Sequence, residues 1–345
     1  MRKITIIGHF GGGETFLDGQ TIKTRTLYDE LKKTGKFKLL AVDTYYKSHN
    51  PIKLAFDLVR GLLASKHIFI LVAENGMRFF FPILYFCAKV FKKRIYQSVI
   101  GASLDRRVKK YKNFKKYLNS FEVNWCETAG LVERLRALGV DNAELLYNFK
   151  RLDAVKENEM LFDFKEPYRL CTFSRVMREK GIEDAICAVD TINKKCGKQV
   201  FALDIYGQVD AEQTEWFDLC QKQFPDGVRY CGEVASSESV DILKDYFALL
   251  FPTRYLTEGV PGTIIDAYAA GLPVIASRWE NFDNIIDENT GIGYEFNNVE
   301  ALVEVLDAIK REPSMIINKK TCCLEKYRLF SPDVVLEEML KKIGE

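Results

Sequence analysis

Apolar and polar positions follow a repeating rhythm along this chain: a short unbroken apolar run, a turn, then a longer stretch with helical spacing. In the first half the apolar runs fall at 3–7, 38–42, 67–72, 94–99, 121–125 and 144–147, with helical spacing at 20–33, 79–91, 104–118 and 130–138. Residues 150–167 are charged and lack an apolar period, which reads as a linker. The rhythm then restarts, with runs at 168–173, 200–206, 228–231, 247–251, 273–276 and 292–296. Helices are predicted at 183–195, 212–224, 237–243 (with Ser237 as N-cap), 300–310, 314–327 and 332–343. Strands apolar on both faces and joined by helices form parallel sheets. The prediction is an α/β chain of two tandem, doubly wound, Rossmann-like domains.

Composition adds limits. With 345 residues there is enough chain for two cores, and a net charge of +2 gives no bulk signal for nucleic acid. The nine cysteines are scattered without a C-x-x-C pair, and the three histidines, His9, His49 and His67, form no metal spacing. No protein-built metal site and no bound cofactor are expected, and free thiols fit a reducing cytoplasm. The opening MRKITIIGHFGGG has too short an apolar run for a signal peptide, and the longest run, 79–88, is about half a membrane span. No transmembrane helix is expected.

The most informative stretch is 247–277, FALLFPTRYLTEGVPGTIIDAYAAGLPVIAS. Two apolar strands flank a helix with Pro261 near its start and Gly271 past its end. The loop Glu258-Gly259-Val260-Pro261-Gly262-Thr263 falls at the carboxyl end of a strand, where ligands sit in open parallel sheets. Amides of Gly262, Thr263 and Ile264 at the helix start suit a phosphate, and Glu258 and Asp266 place two carboxylates toward one hydroxyl-bearing ligand. Taken alone, the same residues also describe a capped βαβ crossover with two solvated acids. A second cluster follows the run at 168–173: SRVMREKGIEDAI puts Arg175 and Lys180 at the same sheet edge.

Glu258 to Asp266 resembles the E-x7-E motif of retaining GT-B glycosyltransferases, family 4 in particular, with Asp266 in place of the usual Glu. The run SRVMREKGIEDAI resembles that family's donor motif, whose Arg and Lys clamp the donor diphosphate. DIYG at 204–207, ending in Gly207, and RYCGEV at 229–234 resemble further family segments. GGGETFLDGQ at 11–20 resembles the glycine-rich loop that approaches the donor, with Gly12 and Gly13 as the best matches. The resemblance implies a GT-B fold, with an acceptor domain 1–155, a donor domain 156–328, and a last helix within 329–345 crossing back to the first domain. It implies a metal-independent, retaining transferase that takes a nucleotide-diphosphate sugar, UDP favoured. Glu258 would lie beside the donor sugar, Asp266 at the ribose, and Arg175 and Lys180 at the diphosphate.

Three other readings stay open. Gly8 and Gly13 fit a dinucleotide fingerprint, and Asp43 ends the second strand as an NAD-binding acid would, but Phe10 stands where the middle glycine is needed. A nucleotide-sugar epimerase would share the fold, and a catalytically silent partner subunit would share it without the chemistry. The family's acceptor-domain His is absent from Val99-Ile100-Gly101-Ala102-Ser103, and His9 reads as a packing residue or a base. Residues 77–116 combine the aromatic run FFFPILYFCAKVFKKR with a basic run at 106–116, which is either a solvated helix face or a contact for anionic membrane lipid, where a lipid-linked glycan acceptor would be met.

Overall fold

The computed structural model describes residues 1–14 and 18–344. It divides into two compact units, Met1–Phe149 with Pro332–Glu345, and Lys150–Ser331.

In the first unit, β1 (Arg2–Gly8), β2 (Phe37–Asp43), β3 (His67–Leu71), β4 (Arg94–Ser98), β5 (Val123–Cys126) and β6 (Ala143–Leu145) form one parallel sheet. Its order is β2-β1-β3-β4-β5-β6. The direction of winding reverses between β1 and β3. One face is covered by Pro51–Ala64, Glu74–Val90, Leu104–Lys110, Phe114–Leu118 and Ala129–Ala137, whose inward side chains share a single apolar cluster with the strands. Gly19–Lys33 and Pro332–Ile343 cover the other face, the latter through Val335, Leu336, Met339 and Ile343.

In the second unit, β7 (Tyr168–Phe173), β8 (Phe201–Tyr206), β9 (Val228–Gly232), β10 (Ala248–Phe251), β11 (Val274–Ser277) and β12 (Gly291–Tyr294) form a second parallel sheet. The order β12-β11-β10-β7-β8-β9 reverses between β7 and β10, making their carboxyl ends the place where a crevice opens. Asp204 is buried in mid-β8 and accepts hydrogen bonds from Arg169, Arg229 and Tyr246. Burial alone would raise its carboxyl; those three donors outweigh burial and lower it to about 2. Lys320 is wholly buried, its Nζ 5.1 Å from the centre of the Phe164 ring and without a hydrogen-bond partner among the described residues. Burial lowers its amine to about 8.

All twelve expected strands form, but several helices differ. Pro51–Ala64 is a further helix, not among those predicted. The stretch 104–118 is two helices, broken at Tyr111–Asn113, and 314–327 is likewise two. Ser237 caps nothing: the helix begins at Ser239, after Glu238, which makes no side-chain cap. Residues 150–155, expected in the first domain, belong to the second unit. The Val155 amide bonds the Ala269 carbonyl at 2.9 Å, and the Tyr327 hydroxyl bonds the Lys150 and Leu152 carbonyls. These bonds tie 150–155 to the second unit, while most of 156–167 is exposed.

Candidate functional site

β7 and β10 are hydrogen-bonded neighbours, so the loops leaving their carboxyl ends rise side by side. Gly181 lets them meet. Its φ is +71°, and a Cβ there would lie 1.9 Å from the Pro252 carbonyl oxygen. The Arg254 amide bonds the Glu179 carbonyl at 2.8 Å, and the Arg254 guanidinium grips Asp184 at 2.9 and 2.5 Å. These contacts tie the two loops together.

Lys180 and Glu258 then converge. The Lys180 ammonium donates to Glu258 Oε1, and the side chains are 17% and 16% exposed, sheltered but reachable. Thr253 Oγ1 donates to the same oxygen at 3.3 Å, and Asn281 Nδ2 holds the Glu258 carbonyl at 2.8 Å. The Lys180 ammonium lies 5.1 Å from the centre of the Tyr255 ring. Sheltered ion pairs keep more of their strength than exposed ones because less water screens them.

Arg175 is more open, 40% exposed, with Nη1 3.3 Å from Asp210 Oδ2. Gly207 admits the Ser174–Arg175 backbone: a Cβ there would stand 1.8 Å from the Ser174 oxygen. Gly259, Val260 and Pro261 are buried beneath the loop, while Gly262 and Thr263 reach its surface at the start of the helix Gly262–Ala269. Thr263 Oγ1 is buried and lacks a hydrogen-bond partner among the described residues.

Asp266, expected at the ribose, is enclosed. It is 2% exposed, with Oδ2 2.5 Å from Lys150 Nζ and Oδ1 accepting from Ser239 Oγ at 3.0 Å. Both carboxylate oxygens are engaged inside the protein, one turn into the helix, where the packing of Ser239–Leu243 covers them. It anchors Lys150, whose Cε lies 3.2 Å from where a Gly262 Cβ would be. Lys150, Ser239, Tyr255 and Asn281 were missed in the sequence. Lys150 and Ser239 come from distant segments, and no local spacing signals them.

In the first unit, Asp43 is spent on the glycine loop. It accepts from the amides of Phe10 at 2.8 Å, Gly12 at 2.7 Å and Tyr45 at 2.9 Å, which removes it from the dinucleotide reading. Gly12 has φ +60°, and a Cβ there would sit 2.4 Å from the Tyr45 ring; a Cβ at Gly13 would meet nothing within 4 Å among the described residues. Thr15, Phe16 and Leu17 of the same loop lie outside the described residues. His9 Nδ1 is 2.7 Å from Thr21 Oγ1. Where an acceptor-side His was sought, the buried Lys23 ammonium bridges the Val99 carbonyl at 2.8 Å and Glu127 at 2.5 Å. Among the described residues no group of three or more His, Cys, Asp or Glu side chains converges. A cavity of about 580 Å³ opens at the amino-terminal edge of the first sheet, lined by Arg2, Lys66, His67 and Arg94.

Residues 167–311 match the family model described as glycosyl transferases group 1, a match that lies within the second unit. An uncharacterized glycosyltransferase of Methanocaldococcus jannaschii is 23% identical over 44% of this chain and 39% of its own length. The amylovoran biosynthesis glycosyltransferase AmsK of Erwinia amylovora is 24% identical over 45% of this chain and 39% of its own length. The chain thus spans well under half the length of the curated relatives it matches. Among solved structures, Anabaena HepE with UDP and glucose superimposes with a TM-score of 0.73 at 10% identity, with both chains fully covered. The fold is GT-B.

Proposed function

We propose that this chain is a glycosyltransferase that moves a sugar from a nucleoside-diphosphate donor to an acceptor hydroxyl, with retention at the anomeric carbon. The observation that carries the reading is the sheltered Lys180–Glu258 pair at the β7/β10 reversal, inside the segment that matches the glycosyl transferases group 1 model. UDP is the favoured carrier, since the structurally similar HepE is described with UDP and glucose.

Chemically, the bond from the anomeric carbon to the diphosphate breaks as the acceptor oxygen attacks from the same face. The acceptor proton passes to the departing diphosphate. Negative charge grows on the leaving oxygen, and groups aimed at developing charge lower the barrier most. Lys180 and Arg175 take that role here, with the amides at Gly262 and Thr263, in a scheme that uses no metal ion. Glu258 faces the donor sugar hydroxyls once the diphosphate draws Lys180 toward itself. Asp266 would serve the ribose in this scheme only by exchanging its pairing with Lys150 for it. The reading puts the work in the cytoplasm, consistent with free thiols, on a glycan or lipid-linked glycan acceptor of polysaccharide or glycoconjugate synthesis.

The test is a thermal-shift screen of the purified protein against UDP, GDP, dTDP, ADP, CMP and NAD, followed by release of free nucleoside diphosphate from matching sugar donors. Ligand at a hundredfold its dissociation constant stabilises by about 2.7 kcal/mol, enough for several degrees. A shift with UDP and release of UDP from a UDP-sugar are expected. A shift with NAD alone overturns the reading, and binding without release supports the silent subunit.

A further inference from the structure

Between residues 51 and 118 stand fifteen Lys and Arg against three Asp and Glu. That stretch carries +12 in a chain whose total is +2, which leaves −10 on the rest. Its helices form one layer. Leu54, Leu58, Phe81, Leu84, Val108 and Phe114 all point into the same cluster over the first sheet, so their outer faces make one surface.

The outer faces are not simply charged. On Pro51–Ala64, Ile52, Phe56, Val59 and Leu63 are 83%, 65%, 56% and 79% exposed, and steps of four, three and four residues align them in one stripe. On Glu74–Val90 and just after it, Phe79, Phe86, Val90 and Phe91 are each about half exposed. Eight of the seventeen exposed large apolar side chains among the described residues thus lie on two helices of one layer. The basic segment flanks the second row: Lys116 Nζ lies 4.8 Å from the centre of the Tyr85 ring, and Arg78 packs over Tyr111. Arg106, Lys109, Lys112 and Lys115 are exposed beside it.

We propose that this face docks on an anionic lipid bilayer, with the apolar stripe entering the headgroup boundary and the cations meeting the headgroups. Amphipathic helices with aromatic and aliphatic residues on one side and Lys or Arg around them bind membranes in this way. A second copy of the chain is a poorer occupant, because it sets one basic face against another. A nucleic acid would satisfy the cations and leave the stripe in water. Among the described residues no helix is long and apolar enough to cross a membrane, so the contact is peripheral. The sequence pointed to 77–116, aromatic and basic together; the exposed stripe on Pro51–Ala64 is what the fold adds. This surface does not rest on the proposed transfer chemistry.

The full chain is floated with vesicles of phosphatidylcholine alone and of phosphatidylcholine with an equal part of phosphatidylglycerol. Binding to the mixed vesicles is expected, weakened by salt. Phe56→Ser with Leu63→Ser is expected to weaken it at least tenfold, and each of Lys109→Gln and Lys112→Gln about fivefold, the equivalent of about 1 kcal/mol per basic residue. All four positions are exposed, so the melting temperature should hold; Ile52→Ser alone repeats the test if the double variant fails to fold. No flotation overturns the proposal, as does equal binding to both vesicle types. So does binding that the charge variants weaken and the stripe variants leave unchanged, which marks a polyanion site. A parent dimer that the stripe variants convert to monomer assigns the face to a second copy instead. A failed nucleotide screen leaves every one of these outcomes readable.

Discussion

Lys180 and Glu258 share one ion pair, so substituting either changes the surroundings of the other. Under the proposed chemistry, Glu258→Ala and Lys180→Ala are each expected to slow nucleoside-diphosphate release about a hundredfold or more while the protein stays folded. The double variant should lose less than the product of the two, because residues in contact are coupled. Initial-rate assays with a UDP-sugar check this, and full activity in either single variant sinks the assignment. Lys320 gives a prediction of a different kind. Its folded amine is lowered to about 8 from 10.5, so between those values the unfolded chain binds more protons and stability rises with pH. Below about 8 the cost is fully present. Lys320→Met is therefore expected to raise the melting temperature at neutral pH, by the equivalent of up to about 3 kcal/mol, and to flatten the rise between those limits. Melting curves across pH for both proteins decide it.

At the scale of elements, the two loops at the β7/β10 reversal touch because Gly181 has no side chain. Gly181→Ala is expected to cost about 1–2 kcal/mol for the left-handed backbone and to push the Pro252 loop away as well. Gly35→Ala is the control, with φ +66° and open space around the added carbon, so it carries strain alone. Melting temperature falls in both, and the UDP-dependent shift is lost only in Gly181→Ala. The strands were legible in the sequence because a parallel sheet covered on both faces needs apolar side chains at every strand position, which leaves an unbroken apolar run. Pro51–Ala64 was not legible for a related reason. Leu54 and Leu58 face the core while Ile52, Phe56, Val59 and Leu63 face out, so no single apolar side marks its period. That Lys180 and Glu258 share one sheet edge was legible from local motifs. The partners of Asp266, Lys150 and Ser239, were not legible, because they come from segments that only the folded chain brings to it.

For the whole molecule, the chain's division is discontinuous: Pro332–Ile343 closes the first unit after the second has been completed. Val335, Leu336, Met339 and Ile343 are buried against Leu27, Leu31 and Phe37, and each is worth about 1.5–3 kcal/mol of burial. Ending the chain at Ser331 is expected to lower the melting of the first unit by many degrees while the second unit keeps its own transition. Calorimetry of the truncated and full chains checks it, and two unchanged transitions would refute it. The same arrangement orders events on the ribosome. The first 149 residues emerge early yet stay unfinished, with the seat for their closing helix bare, until the last segment is made. The second unit, continuous from Lys150 to Ser331, completes within that interval. A nascent chain stalled before residue 332 should therefore present a protease-resistant later half and a chaperone-binding earlier one.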